Sequence, residues 1–282
     1  MKRSAVVLGL VLVVAMACTR EPAMVRQMHK TRLIEGIRQA LLESVEAEKS
    51  AVLSTVDDES LALAHEARGH ITEVNRLRGE LRQLIVADGR QQEIEKLNAF
   101  DAAWAEVERV DQGLLTLAVA NTNLKAARLS ATEGAAHLDR FVDALTAAEG
   151  AATDIETTRA LSAASIAALR IQPLLLVHIP SADDAEMTRL EERMRALTVE
   201  VDRNLASVRD GGKIPAEQLA PTTQPWVEYQ RVVADVLRLS RENSNVISFD
   251  VSVHEKRHVM KECLAALEAL QAATEVGPQG VR

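Results

Sequence analysis

Aromatic residues are nearly missing from this chain: two Trp, one Tyr and three Phe stand among 282 residues. Sheet cores draw heavily on aromatic and β-branched side chains, so a composition led by Ala, Leu, Val, Glu and Arg favours helices packed on helices. Cysteine is reduced to Cys18 and Cys263, which excludes a disulfide-stapled scaffold. Positive charge is not in excess either. With 33 Lys and Arg against 41 Asp and Glu, the net charge is -8, and no basic face exists to neutralise phosphates, so nucleic acid is excluded as a partner. The chain also lacks a Gly-rich phosphate loop, a CxxC pair, a GxSxG elbow and a dinucleotide fingerprint. No cofactor is implied. After residue 18, nothing approaches 18 uncharged apolar residues in a row.

The one apolar run worth a membrane argument lies at the start. Lys2 and Arg3 precede the uncharged stretch Ala5 to Ala17, too short for a comfortable span but suited to the core of an export signal. Residues 1–18 are therefore read as a signal segment. Val14-Ala15-Met16-Ala17-Cys18 resembles a bacterial lipobox with Ala15 where Leu is usual, which makes Cys18 the candidate lipidation site. Plain cleavage after Ala17, giving a secreted or periplasmic product, and an uncleaved anchor are the other two readings. Localisation follows as the periplasmic side of a bacterial cell envelope, with the membrane touched only through the N-terminus. Cys263, in an Ala/Leu-rich helix, reads as a small buried apolar residue.

What the chain does contain is a repeat. Trp104 to Ser130 reads WAEVERVDQGLLTLAVANTNLKAARLS, and Trp226 to Ser252, 122 positions on, reads WVEYQRVVADVLRLSRENSNVISFDVS. Self-similarity at a fixed offset means two copies of one unit. Apolar steps of three, four and seven through Ile34, Ile37, Leu41, Val45, Val52 and Val56 predict a first helix. Asp57 and Asp58 are expected to cap a second, ending at Ala87-Asp88-Gly89. A third runs from about Gln91 towards Ser130, with a break expected near Ser130-Ala131-Thr132-Glu133 and a fourth helix after it. In the second copy Pro173 should kink or interrupt its helix, His178-Ile179-Pro180-Ser181 makes a turn, and Asp210 to Pro225 is the loop-rich region. The expected fold is all-α: two tandem up-down antiparallel four-helix bundles, residues 24–150 and 151–276, with a tail at 277–282. Helices of about 30 residues are roughly 45 Å long, so bundles joined end to end would form an elongated rod.

Within the repeat, Phe100, Val107 and Leu114 share a seam position whose next member is Asn121, and Tyr229 and Val236 lead likewise to Asn243. Asn123 and Asn245 are then expected to point away. Asn121 and Asn243 are read either as polar groups that fix helix alignment or as hydrogen-bonding groups of a ligand pocket between helices. Trp104 and Trp226 beside the seam are packing anchors or stacking platforms for a ligand. One catalytic pattern is present: His254-Glu255-Lys256-Arg257-His258 matches HExxH. Against a zinc site stand the charged middle pair, a missing third ligand and a plain helical setting, so His254 and His258 are expected on a solvated helix face. The remaining histidines, His178 included, read as surface or core-edge residues.

Several of these stretches together resemble a known family. Leu41-Leu42-Glu43-Ser44-Val45-Glu46-Ala47-Glu48-Lys49-Ser50-Ala51-Val52-Leu53, then Asp57-Asp58-Glu59, Phe100-Asp101-Ala102-Ala103-Trp104 and Asn121-Thr122-Asn123 look like the periplasmic four-helix-bundle sensor of methyl-accepting chemotaxis receptors. The resemblance covers residues 24 to 150, and 151 to 276 more loosely. It implies a sensor-like binding module without enzymatic activity, working in signal transduction through a protein partner of the envelope, with a homodimer face and a small-molecule ligand as further expectations. The second transmembrane helix and the cytoplasmic signalling coil of that family are not in the sequence. The competing expectation is a scaffolding lipoprotein that makes protein contacts and binds no small molecule.

Overall fold

The computed structural model describes residues 23–275, and among them every regular element is helical. The signal segment, Cys18 and the 277–282 tail lie outside the described residues. Helices α1 (Ala23–Leu53), α2 (Asp57–Asp88) and α3 (Gln91–Ala120) follow one another with tight connections. Gly89 stops α2 in the left-handed region at φ 67°, its N–H returning to the Ile85 carbonyl, where a side chain would be strained. Asp57 and Asp58 do not cap α2. They sit in its first turn, favourable to the helix dipole, while Val56 occupies the N-cap position and Ser54 Oγ accepts the Val56 N–H at 3.2 Å.

The third helix does not reach Ser130. It ends at Asn121, which has φ 51°, and α4 (Thr122–Leu129) starts directly after it. Nor does the chain break near 130: a π-helical turn, Ser130–Gly134, carries α4 straight into α5 (Ala135–Glu149). The second copy repeats this plan. Helices α6 (Ile155–Leu169) and α7 (Ile171–His178) are followed by α8 (Asp184–Gly211), the short α9 (Ala216–Leu219) and α10 (Thr223–Glu242). Asn243, at φ 52°, then leads into α11 (Ser244–Val251), a π-helical turn Ser252–Lys256, and α12 (Arg257–Glu275). The interruption ahead of Pro173 falls at Arg170, which places the proline in the first turn of α7, where no backbone donor is needed. At the start of α8, Asp183 does cap, accepting the Ala185 and Glu186 N–H groups.

The cores are not sequential, which corrects the expected division after residue 150. One core is built from α1, α2, α3 and α12, with Ile34, Ile37, Leu81, Phe100, Trp104, Val107, Cys263 and Leu267 inside it. The other joins α6, α7, α8 and α10 to α5, with Phe141, Leu145, Leu161, Met194, Val201 and Tyr229 inside. Each copy therefore contributes three helices to its own core and sends its fourth to the other. The reason lies at Asn121 and Asn243. A chain turn there would fold the fourth helix back on the third, whereas a single left-handed residue redirects it and lets it run on.

The repeat proves to be chain-wide. Along α1 the buried positions 30, 34, 37, 41, 44, 48 and 51 recur in α6 and α7 as 157, 161, 164, 168, 171, 175 and 178. The stretch Ile155–His178 is also long and apolar enough to cross a membrane by length and composition. Here one face of it packs into the second core, through Leu161, Ala164, Ala168 and Leu175.

Candidate functional site

The two left-handed asparagines meet where the fourth helices cross. A helix start leaves N–H groups without intrahelical acceptors, and each crossing segment supplies acceptors for the other. Thr122 N–H donates to Ser244 Oγ and Ser244 N–H to Thr122 Oγ1, both at 3.0 Å. Asn123 N–H donates to Asn245 Oδ1 and Asn245 N–H to Asn123 Oδ1, both at 3.1 Å. The same four residues thus cap two helices reciprocally, with an approximate two-fold relation between the copies. Asn121 Nδ2 donates to Asp57 Oδ1 at 3.0 Å and its Oδ1 accepts from Asn245 Nδ2 at 2.9 Å. Asn243 Oδ1 accepts from Asn123 Nδ2 at 2.7 Å, while Asn243 Nδ2 donates to the Ser181 carbonyl at 3.0 Å. Asn123 and Asn245 do not point away, because the helical register that predicted it ends at the left-handed residue before them. Both seam asparagines spend their amides inside this knot.

Trp104 and Trp226 are not brought to it or to each other. Trp104 is fully buried in the first core and Trp226 nearly so in the second. The indole N–H groups donate to Asn75 Oδ1 at 2.9 Å and to Asp202 Oδ1 at 2.7 Å, equivalent positions of α2 and α8. Trp226 stacks on Phe141 with ring centroids 4.8 Å apart. It also reaches the wall of a cavity of about 690 Å³ under the 212–223 connection, together with Asp202, Arg209, Ile214 and Pro215.

His254 and His258 are exposed, each beside a carboxylate one turn away, Asp250 at 3.0 Å and Glu262 at 3.3 Å. Among the described residues no three His, Cys, Asp or Glu side chains converge to hold a metal. The stretch is not wholly solvated, however. The π turn brings Lys256 into the first core, 1% exposed and paired with Asp111. Cys263, two turns on, is buried and its thiol is pushed up to about 12 by that burial. His178 is likewise in the core rather than at its edge. It faces Ser240 Oγ at 2.8 Å and Glu191 at 3.0 Å, and burial lowers its pKa against the opposing pull of Glu191.

Around Lys256 lies a cluster that the periodicity did not single out. Ser252 Oγ donates to Glu48 Oε1 at 2.6 Å, and Ser44 sits one turn before Glu48 on α1, both buried. Desolvation raises the pKa of Glu48, opposed by Ser252 and Lys256, and raises that of Asp111, opposed by Lys256. The available signal was charge on an apolar stripe: Asp111 beside Val110, and Lys256 in step with Met260 and Cys263. Beside this cluster, α1 and α12 leave a groove of about 700 Å³ whose wall includes Ser252 and Lys256.

No family model matches the chain, and neither the curated proteins nor the solved structures give a match to it.

Proposed function

We propose that the chain is a non-enzymatic recognition module of the chemoreceptor-sensor type, placed on the periplasmic side of a bacterial envelope through Cys18 or released there, and signalling through a protein partner. The observation that carries this reading is the reciprocally capped crossover. Helices that line one core continue into the other through a fully hydrogen-bonded joint, so occupancy beside one core biases the packing of its neighbour. Coupling of that kind is a property that recognition modules use. Each core also borders a cavity of roughly 700 Å³, within the range of small-molecule sites. A homodimer would give the module its output face.

The test is a thermal-shift screen of the purified chain against amines, amino acids, organic acids and metal ions. A ligand at about 100 times its Kd adds roughly 2.7 kcal/mol to stability, so a concentration-dependent rise in Tm supports the reading. A second reading has its own observation. Ile166, Leu169, Leu176 and Val177 leave an exposed apolar stripe on α6 and α7, which suits a scaffolding lipoprotein that only makes protein contacts. Silence across the screen, with capture of an envelope protein lost on Ile166→Glu/Leu176→Glu, would favour it.

A further inference from the structure

The helix pair α6 and α7 keeps one face in the second core and leaves the other uncovered. Ile155, Ile166, Leu169 and Leu176 stand 63%, 59%, 47% and 61% exposed, on a row of positions 155, 159, 162, 166, 169, 173 and 176. Alternating steps of four and three are the spacing of a seam along which helices pack side by side. Exposed apolar residues scattered singly would not keep it. The interruption at Arg170 leaves the register intact, since the buried positions run on at 164, 167, 171, 174 and 178.

The sister helix shows that the fold does not need this seam. At the same steps, 127 positions earlier, α1 has Glu35, Gln39, Glu46 and Lys49 where the second copy has Ser162, Ile166, Pro173 and Leu176. Met28, Arg32 and Leu42 repeat the character of Ile155, Arg159 and Leu169. Both helices pack on their own core through equivalent buried positions. The outward face of α1 is therefore the solvated version of this element, and the apolar row on α6 and α7 is the one that calls for a cover.

Charge borders the seam differently on its two sides. Towards α8, Arg170 and Arg193 lie on one groove, with Glu200 also on it. Towards α5, Ser162 Oγ donates to Glu149 Oε1 at 2.7 Å. Asp139, Val142, Thr146 and Glu149 follow one another at steps of three and four, so they share that side of α5, and Asp139 is exposed. Because α5 turns back into α6 through residues 150–154, Asp139 stands about level with Arg170. A C2 contact sets one patch against itself. A dyad parallel to α6 and α7 lays the seam on its own copy and crosses each basic edge over to the acidic edge opposite. Arg159 and Arg170 then come within reach of Glu149 and Asp139 of the second copy. An antiparallel dyad about Ile166 would instead set Arg159 beside the second copy's Arg170.

The dimensions fit. Ile155–His178 spans 24 residues, about 36 Å, and the flanking ridges of α5 and α8 widen the face to about 20 Å. On those dimensions about 700 Å² per copy is covered, which is the size of a specific interface. The acidic edge and the net charge of -8 disfavour an anionic lipid surface as the cover. We infer that a second copy of this chain covers the α6–α7 seam, the two copies packing in parallel about a dyad along these helices. The inference rests on the recognition reading only for its role as the output face; the contact itself follows from the seam and its edges.

Sedimentation velocity of the full chain from about 1 to about 100 μM should show monomer passing into dimer, as suits an interface at the lower end of the specific range. Ile166→Gln/Leu176→Lys gives the seam its sister's residues and should weaken the dimer at least about tenfold. Arg170→Asp and Asp139→Arg should each weaken it alone. An equimolar mixture of those two variants should recover it, because each chain then supplies the charge that the other has lost. If the seam variant does not fold, this mixture decides. Ile166→Cys and Pro173→Cys should each trap two copies as a disulfide under oxidation, whereas an antiparallel pair can be trapped at one of them at most. A parent chain that stays monomeric, a seam variant that dimerises like the parent, no recovery in the mixture, or trapping at only one cysteine overturns the inference. So does a monomer that floats with phosphatidylglycerol vesicles, or one that holds another envelope protein through the seam. A ligand-raised Tm in a monomeric chain removes this face and leaves the recognition reading, and a dimer indifferent to every compound does the reverse.

Discussion

Glu48, Asp111 and Lys256 show how much a single charged side chain depends on its partners. Lys256→Met strips Asp111 of its counter-ion inside the core and should destabilise by about 3–5 kcal/mol, the usual effect of breaking a buried pair from one side. Replacing Glu48, Asp111 and Lys256 together by the apolar Leu, Val and Met should be neutral or stabilising, by up to about 4 kcal/mol. Urea unfolding of the two variants side by side checks the contrast, and equal losses would contradict it. The pH dependence has a definite sign. Burial raises the pKa of Glu48 above its ordinary 4.5, so the folded state holds its proton longer than the unfolded chain does. Stability from this group is present below that ordinary value and is lost as pH rises through the folded value. The gain from Glu48→Leu should therefore be larger at pH 7 than at pH 4. His178 runs the other way. Its folded pKa is lowered from 6.5, first by burial, so its contribution is complete above that value and fades as pH falls below it. The urea midpoint should decline below about pH 6.5, and His178→Gln should flatten the decline.

Helices were legible from apolar spacing because a buried stripe recurs at the helical period whatever the tertiary partners are. The buried residues of α1 and α3 include the stripes read from spacing, Ile34, Ile37 and Leu41, and Phe100, Val107 and Leu114. The end of α3 was not legible. Asn121 continues the seven-residue seam and yet leaves the helix at φ 51°, a backbone choice made by acceptors 122 residues away in the other copy. Local pattern carries no trace of a cap delivered in trans. The same blindness hid the π turns, in which Lys256 faces the core although the flanking histidines face water. The repeat itself did hold the clue: Asn-Thr-Asn and Asn-Ser-Asn at one offset are a pair able to bond each other. Trans capping is measurable. Ser244→Ala removes the acceptor of the Thr122 N–H and the partner of its hydroxyl, which should cost about 1 kcal/mol as for other N-cap losses. Thr122→Ala should do the same to Ser244. The double variant should cost little more than either single one, falling short of additivity by about 0.5–1 kcal/mol. Strict additivity in denaturant unfolding would mean that α4 and α11 do not cap each other.

Two copies that keep their own fourth helices would make two domains, each able to melt alone. Here each core depends on a helix from the opposite half, α12 on α1–α3 and α5 on α6–α10. The chain passes between the cores twice, at Asn121 and at Asn243, and the crossings are hydrogen-bonded to each other. Unfolding one core then frees a helix whose continuation caps the other. The expected outcome is one calorimetric transition, with the van't Hoff enthalpy close to the calorimetric one. The connection between α8 and α9 supplies a sharper test, since Gly212 to Pro215 is irregular and only the short α9 and a 3-10 turn stand between it and α10. A protease cut there divides the polypeptide between α8 and α10 but leaves every helix of both cores present. The nicked fragments should co-migrate in size-exclusion chromatography and separate only in denaturant, because α10 to α12 touch both cores. Two well-resolved melting transitions, or fragments that part without denaturant, would show that the halves close independently and that the exchange of fourth helices does not bind the molecule together.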